Sequence, residues 1–282
     1  MKLCRTGPVG QEKPCLVDAD GNLRDLSGVI ADLDAAAICP DGLARLAAID
    51  PASLPLVGGQ PRYGVPVAGT RKFVAIGLNY ADHAAESNLP IPEEPVVFNK
   101  WVSCLQGPND DVVIPRDSTK TDWEVELGIV IGAPAHNIGE ADALAHVAGY
   151  CVVNDVSERH WQLQRGATWD KGKGFPTFGP VGPWLVTRDE VPDPQALSMW
   201  LEVNGKRVQD GNTATMIFGV AHIVAYCSRI MQLEAGDIIT TGTPPGVGMG
   251  QKPEPWFLKP GDVVELGIEG LGQQRQTFVA AN

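Results

Sequence analysis

Asp122, Glu124 and Glu126 stand at alternate positions at the head of a run that continues Leu127-Gly128-Ile129-Val130-Ile131. On a strand, side chains two apart point the same way and stand ~6.6 Å apart. Val125 and Leu127 take the opposite parity. Two unit charges at that spacing repel by about 2.5 kcal/mol in a medium of dielectric ~20. Water at a sheet edge absorbs such a cost; a strand entering a core needs a cation to offset it. Hard carboxylate oxygens suit Mg²⁺, Mn²⁺ or Ca²⁺ better than Zn²⁺. A divalent metal is the first chemistry this pattern suggests.

Further candidates lie downstream and upstream. Ala148-Gly149-Tyr150-Cys151-Val152-Val153-Asn154-Asp155 reads as a buried strand ending in an acid, with Ser157 the expected N-cap of a following helix. Arg159 and Gln162, three apart, share a face of that helix. Spacing alone leaves Asp155 either as a helix-start residue or as the third carboxylate of a metal site. His83 and Glu86 stand at i, i+3, where a carboxylate orients an imidazole and raises its basicity, as a general base for water requires. A surface hydrogen bond has the same spacing. Lys171 and Lys173 fall in a glycine-flanked loop, open either to solvent or to a substrate carboxylate. The segment from Thr240 to Gly250 offers hydroxyls and backbone amides to an anion, or is simply a turn. It has neither the Gly-Lys-Ser/Thr ending of a P-loop nor the third glycine of a dinucleotide fingerprint. His136, His146, His160 and His222 share no ligand spacing.

The elements that must position these residues are mostly strands. Lys13–Val17 and Leu23–Leu26 flank the turn Asp18-Ala19-Asp20-Gly21-Asn22, and a short helix is expected over Asp41–Ile49. A proline- and glycine-rich connection covers 51–66, so a small β-rich N-terminal domain is placed at 1–70 and a larger one at 71–282. Asn204-Gly205 signals a hairpin, and apolar residues between Ile217 and Met231 recur at helical spacing. The 282 residues carry a net charge of −12, which argues against a nucleic-acid or anionic-membrane surface. No apolar run approaches ~18 residues, and the start of the chain has no signal-like core, so a cytoplasmic protein is expected. The six cysteines form no Cys-x-x-Cys pair and read as reduced.

In this order the segments resemble the fumarylacetoacetate hydrolase superfamily. The resemblance runs from about Phe73 to the C-terminus. It is carried by Gly77-Leu78-Asn79-Tyr80-Ala81-Asp82-His83, Asp122-Trp123-Glu124-Val125-Glu126-Leu127, Asn154-Asp155-Val156-Ser157-Glu158-Arg159, Lys173-Gly174-Phe175, Asp210-Gly211-Asn212-Thr213 and Gly236 to Pro244. It implies an α+β fold, mainly β: a mixed β-sandwich roll with a few helices, paired as a homodimer. It implies that Glu124, Glu126 and Asp155 bind Mg²⁺ or Mn²⁺, with Ca²⁺ able to stand in within crystals. His83 and Glu86 become a dyad, Lys173 a catalytic cation, and Arg159, Gln162 and Thr243 substrate contacts. Pro176 departs from the acid that many relatives carry there.

Within the superfamily the chain is most similar to bacterial members that are named either 2,4-diketo-3-deoxy-sugar-acid hydrolases or ureidoglycolate lyases. A 2-oxo acid chelates an open divalent ion through carboxylate and carbonyl, which favours the first of these, hydrolysis of a C–C bond in a small anionic 2,4-diketo-3-deoxy sugar acid; an acylpyruvate hydrolase would use identical parts. Oxaloacetate decarboxylation, hydroxymuconate-type isomerisation, ureidoglycolate cleavage and non-catalytic metabolite binding are the alternatives. Trp123, Trp161 and Trp169 are the expected pocket walls, while Lys100 is read as a surface residue.

Overall fold

The computed structural model describes residues 1–82, 90–166 and 168–281. The fold is α+β and mainly strands, as expected. The largest sheet runs in the order β3 (Leu23–Asp25), β2 (Lys13–Val17), β1 (Lys2–Thr6), β12 (Gly179–Thr187), β10 (Val147–Asn154), β9 (Val125–Ile131), β15 (Ile238–Thr240), β4 (Phe73–Gly77), β5 (Val96–Lys100), with β6 (Leu105–Gln106) beside β12. A second sheet has the order β14 (Lys206–Asn212), β13 (Ser198–Val203), β16 (Val263–Ile268), β17 (Gly272–Ala280), β7 (Val112–Ile114). Its strands β13, β16 and β17 pack on β9, β10 and β12. The N-terminal strands continue the large sheet through β1, whose Leu3 pairs with Leu185 of β12.

Every residue of β9 and of β10 is buried. Strands covered on both faces read as unbroken apolar runs, which explains Ile129-Val130-Ile131 and Tyr150-Cys151-Val152-Val153. The hairpin at Asn204-Gly205 is present, with φ of 52° and 75° joining β13 to β14. Six α-helices lying wholly within the described residues decorate the sheets: α1 (Ala35–Ile38), α2 (Pro40–Ala47), α3 (Glu140–Ala143), α4 (Arg159–Leu163), α5 (Asp170–Lys173) and α6 (Val220–Ile230). The apolar side of α6 joins the core through Ile223, Val224 and Cys227. No helix among the described residues is long and apolar enough to cross a membrane.

Three local expectations need correction. The acidic run is not one strand: β8 (Thr121–Asp122) pairs with β11 (Ser157–Glu158) as a separate ribbon, and β9 begins only at Val125. The chain turns between them because Asp122 is captured by the amides of Gly248 and Met249, and Trp123 buries against Trp256. Ser157 is not the helix cap; its hydroxyl donates to the Asp155 carbonyl, and Glu158 accepts from Trp161 N instead. The lysine segment is not a loop but the helical turn α5, which packs on α4.

Gly172 is what allows that packing. A Cβ there would lie 2.5 Å from Gln162 N and from Glu158 O, both rigid backbone atoms. Gly172→Ala is therefore expected to force α5 away from α4 and to lower the unfolding free energy by ~1–3 kcal/mol. An unchanged urea midpoint would show that the contact is slack.

Candidate metal centre and pocket

The antiparallel pairing of β9 and β10 brings the distant acids together. Val153 stands opposite Glu126 and Asn154 opposite Val125, so Asp155 leaves β10 beside Glu124, with Asp155 N donating to Glu124 O at 2.9 Å. Glu124, Glu126 and Asp155 are buried, and each offers an oxygen within 4.8 Å of the others. Oxygens on opposite sides of a Mg²⁺ or Mn²⁺ ion stand roughly 4 Å apart, and those around Ca²⁺ roughly 5 Å. The donor set, all carboxylate oxygen, fits a hard divalent cation.

The three acids are held in different ways. Glu124 Oε2 accepts from Lys173 Nζ at 2.6 Å, and its Oε1 lies 2.7 Å from Arg159 Nη2, an ion pair whose angles fall short of a hydrogen bond. Burial alone would raise the Glu124 carboxyl, but Lys173 and Arg159 outweigh it and hold it at about 2. Asp155 accepts from Lys173 Nζ at 2.7 Å on Oδ2 and from Lys100 Nζ at 2.6 Å on Oδ1. Glu126 has no cation bonded to it among the described residues. Its Oε2 accepts from the Thr240 hydroxyl and from Gly242 N, and burial together with Asp155 and Glu124 pushes its carboxyl well above the usual range. A cation near Glu126 would relieve that repulsion.

The segment from Thr240 to Gly250 does bind anions, but they are the chain's own. Besides the bonds to Glu126, Gly248 N and Met249 N donate to Asp122 at 2.6 and 2.9 Å. Gly242 has φ of 90°, and a Cβ there would sit 2.8 Å from that of Asn79, so the close turn requires glycine. Thr243 lines the pocket, but its hydroxyl donates to Val125 O and accepts from Gln209 Nε2.

Arg159 sits a step behind the cavity. Its Nε donates to Asp122 at 2.8 Å and its Nη1 to Gln162 Oε1 at 2.9 Å. Burial disfavours the guanidinium charge, but Asp122 and Glu124 overcome this and raise its pKa. Gln162 does line the cavity, and its Nε2 has no hydrogen-bond partner among the described residues. Lys173 is buried at the floor; the neighbouring Asp155 and Glu124 carboxylates offset its desolvation and raise its pKa. His83 and Glu86 lie outside the described residues. The other histidines contribute nothing to the acid cluster.

Sequence reasoning missed Lys100. It is fully buried, and besides Asp155 its ammonium bonds the carbonyl of Lys173. Lys100 ends β5 opposite Phe73 of β4 and is the one buried residue of that strand, after three half-buried residues and the exposed Asn99. Nothing in the pattern of β5 itself signalled that burial. Of the three tryptophans, Trp169 alone lines the cavity. Trp123 is in the core, and Trp161 lies edge-on to Phe175 under Arg165.

The cavity encloses about 470 Å³, with Glu124, Glu126, Asp155 and Lys173 at its charged floor and Ile76, Leu78, Phe98, Leu163 and Trp169 in its wall. The volume is in the range of small-molecule sites.

A family model described as fumarylacetoacetate (FAA) hydrolase, C-terminal, matches residues 72–279. A Burkholderia multivorans protein named provisionally as a hydrolase is 65% identical over 281 residues, covering all of both chains. Among solved structures, fumarylacetoacetate hydrolase from Exiguobacterium antarcticum is 34% identical with a TM-score of 0.89, covering all of both chains. Maleylpyruvate hydrolase from Sphingobium sp. SYK-6, solved with manganese(II) and pyruvate, is 28% identical with a TM-score of 0.83, again over both full chains. The neighbours of this fold also include an isomerase of 5-carboxymethyl-2-hydroxymuconate. A profile match over most of the chain, joined to full-length relatives, places the protein in the fumarylacetoacetate hydrolase family.

Proposed function

We propose that this protein hydrolyses a C–C bond in a 2,4-dioxo acid, releasing pyruvate and a second small acid. The observation that carries the reading is the floor of the cavity, where three buried carboxylates meet a buried ammonium beneath an apolar wall. Bound at Glu124, Glu126 and Asp155, Mg²⁺ or Mn²⁺ would supply a Lewis acid for the 2-oxo acid end. The manganese and pyruvate in the maleylpyruvate hydrolase neighbour support this assignment. The apolar wall favours an acylpyruvate over the polyhydroxylated tail of a diketo sugar acid, whose hydroxyls would lose water without gaining partners.

The chain's own residues divide the work. Lys173 spends two of its three N–H donors on Glu124 and Asp155 and keeps one for the substrate. Its charge favours the negative charge that grows on the 2-oxo end. Gln162 presents its amide N–H to the cavity from a side chain fixed by Arg159, and Arg159 also orients Glu124. Thr243 has one acceptor lone pair left after its two bonds. His83, which the family resemblance pairs with Glu86, is the base assigned to take a proton from water. The hydroxide adds to C4, the C3–C4 bond breaks, and the electron pair left at C3 is conjugated with the C2 carbonyl until C3 receives the proton that the base took from water.

The direct test is a turnover screen with Mg²⁺ or Mn²⁺ against acylpyruvates, oxaloacetate and ureidoglycolate, with EDTA as the control. Pyruvate is expected from acylpyruvates and is lost with EDTA. A shifted ultraviolet band without pyruvate would put isomerisation in its place; CO₂ or urea would indicate decarboxylation or lyase chemistry. Glu126→Gln is expected to weaken Mn²⁺ binding by more than ~100-fold and to abolish turnover with it. Turnover that survives without metal would overturn the mechanism. His83→Ala is expected to lower kcat by ~10²–10⁴-fold while Mn²⁺ affinity, measured by calorimetry, stays within about threefold. Loss of metal binding in that variant would assign His83 a different role.

A further inference from the structure

The cavity is charged at its floor and largely apolar around its wall, where Gln162 and Thr243 are the neutral polar side chains, and it carries one further cation at the mouth. Its lining includes two cations, Lys173 and Lys252. Lys173 is committed to Glu124 and Asp155. Lys252 is exposed and has no ion-pair or hydrogen-bond partner among the described residues.

The segment that presents Lys252 is anchored. Gly248 N and Met249 N donate to buried Asp122, Gln251 Nε2 donates to Gly246 O at 2.9 Å, and Trp256 N donates to Gly248 O at 2.9 Å. The ammonium is therefore offered from a fixed base, with only its own side-chain torsions free. Around it the mouth exposes apolar side chains, Leu163 at 47% and Met249 at 37%. Leu78, also in the wall, is held at φ 49°, a left-handed conformation that costs a leucine about 1–2 kcal/mol and a glycine nothing. Strain of this kind collects where a side chain is needed in a pocket.

We propose that Lys252 is a specificity-determining residue that binds a second carboxylate, at the far end of the substrate. This rests on the reading of the floor as a 2-oxo acid site. The substrate class is then a 2,4-dioxo acid with a carboxylate at each end and an unsubstituted hydrocarbon spacer lying against Leu78, Leu163 and Met249. A spacer bearing hydroxyls would leave them unpaired on that wall.

The test uses two acylpyruvates of equal chain length that differ only at the far terminus, one ending in methyl and the other in carboxylate, with Mg²⁺ present. The protein is expected to favour the dicarboxylate by roughly five- to tenfold in kcat/KM, through KM, with the preference shrinking as salt is added. Lys252→Met should bring the ratio close to one, Lys252→Arg should retain it and Lys252→Glu should reverse it. Lys259→Met, a change at an exposed lysine outside the cavity, controls for net charge and should keep the preference. Pyruvate released equally from both substrates, or a preference untouched by Lys252→Met, overturns the distal subsite while leaving the reaction assignment standing. Release from neither overturns both.

Discussion

The structure depends on a balance of charge buried where β9 and β10 end. Asp122, Glu124, Glu126 and Asp155 face Lys100, Arg159 and Lys173, and all seven side chains are buried. Four acids against three cations leave one negative charge if all are ionised. Removing one partner from such a network leaves an uncompensated buried charge, at a cost of about 3–5 kcal/mol. The fold meets that constraint by drawing the cations from separate elements: Lys100 from β5, Arg159 from α4 and Lys173 from α5. The contacts between these elements are therefore conditions for the acids to remain ionised, in addition to any catalytic part they play.

Within the balance Glu126 is the exception that gives the site a direction. Glu124 and Asp155 each have an ammonium within 2.7 Å, whereas Glu126 is held by a hydroxyl and an amide. Neutral donors fix a carboxylate without neutralising it. The residual negative potential is thus concentrated on the β15 side of the cluster. A divalent ion bound there would gain most, and its two charges would convert a small negative excess into a small positive one.

How far this could be read from the sequence follows from what each signal measures. Alternation and apolar runs report burial, so β9, β10, the Asn204-Gly205 hairpin and helix α6 were legible. Glu124, Glu126 and Asp155 were legible as a cluster only through family resemblance, since spacing left Asp155 with two readings. The break at Trp123 was hidden because its causes, the Gly248 and Met249 amides and the Trp256 ring, lie more than a hundred residues away. Lys100 was misjudged because composition makes a lysine look solvated; only the tertiary placement of Asp155 and of the Lys173 carbonyl makes its burial tolerable. Arg159 shows a subtler case. Its face was correct, but the three-residue spacing to Gln162 could not show that Asp122 would also claim its guanidinium.

Asp122 joins two functions that the sequence keeps far apart. One carboxylate accepts from Arg159, which positions Glu124 and Gln162, and also from the two amides that start the segment leading to Lys252. The floor of the cavity and one side of its mouth thus share a buried anchor. A rigid anchor lets a pocket hold a charged floor at fixed distance from an apolar wall without spending substrate binding energy on ordering the protein. Bond cleavage that leaves charge on carbon benefits from that arrangement, because the stabilising cations are already oriented before the charge appears. The same preorganisation serves hydrolysis and isomerisation equally. A hydrolase and an isomerase both stand among the neighbours of this fold, as a floor that stabilises charge on carbon allows.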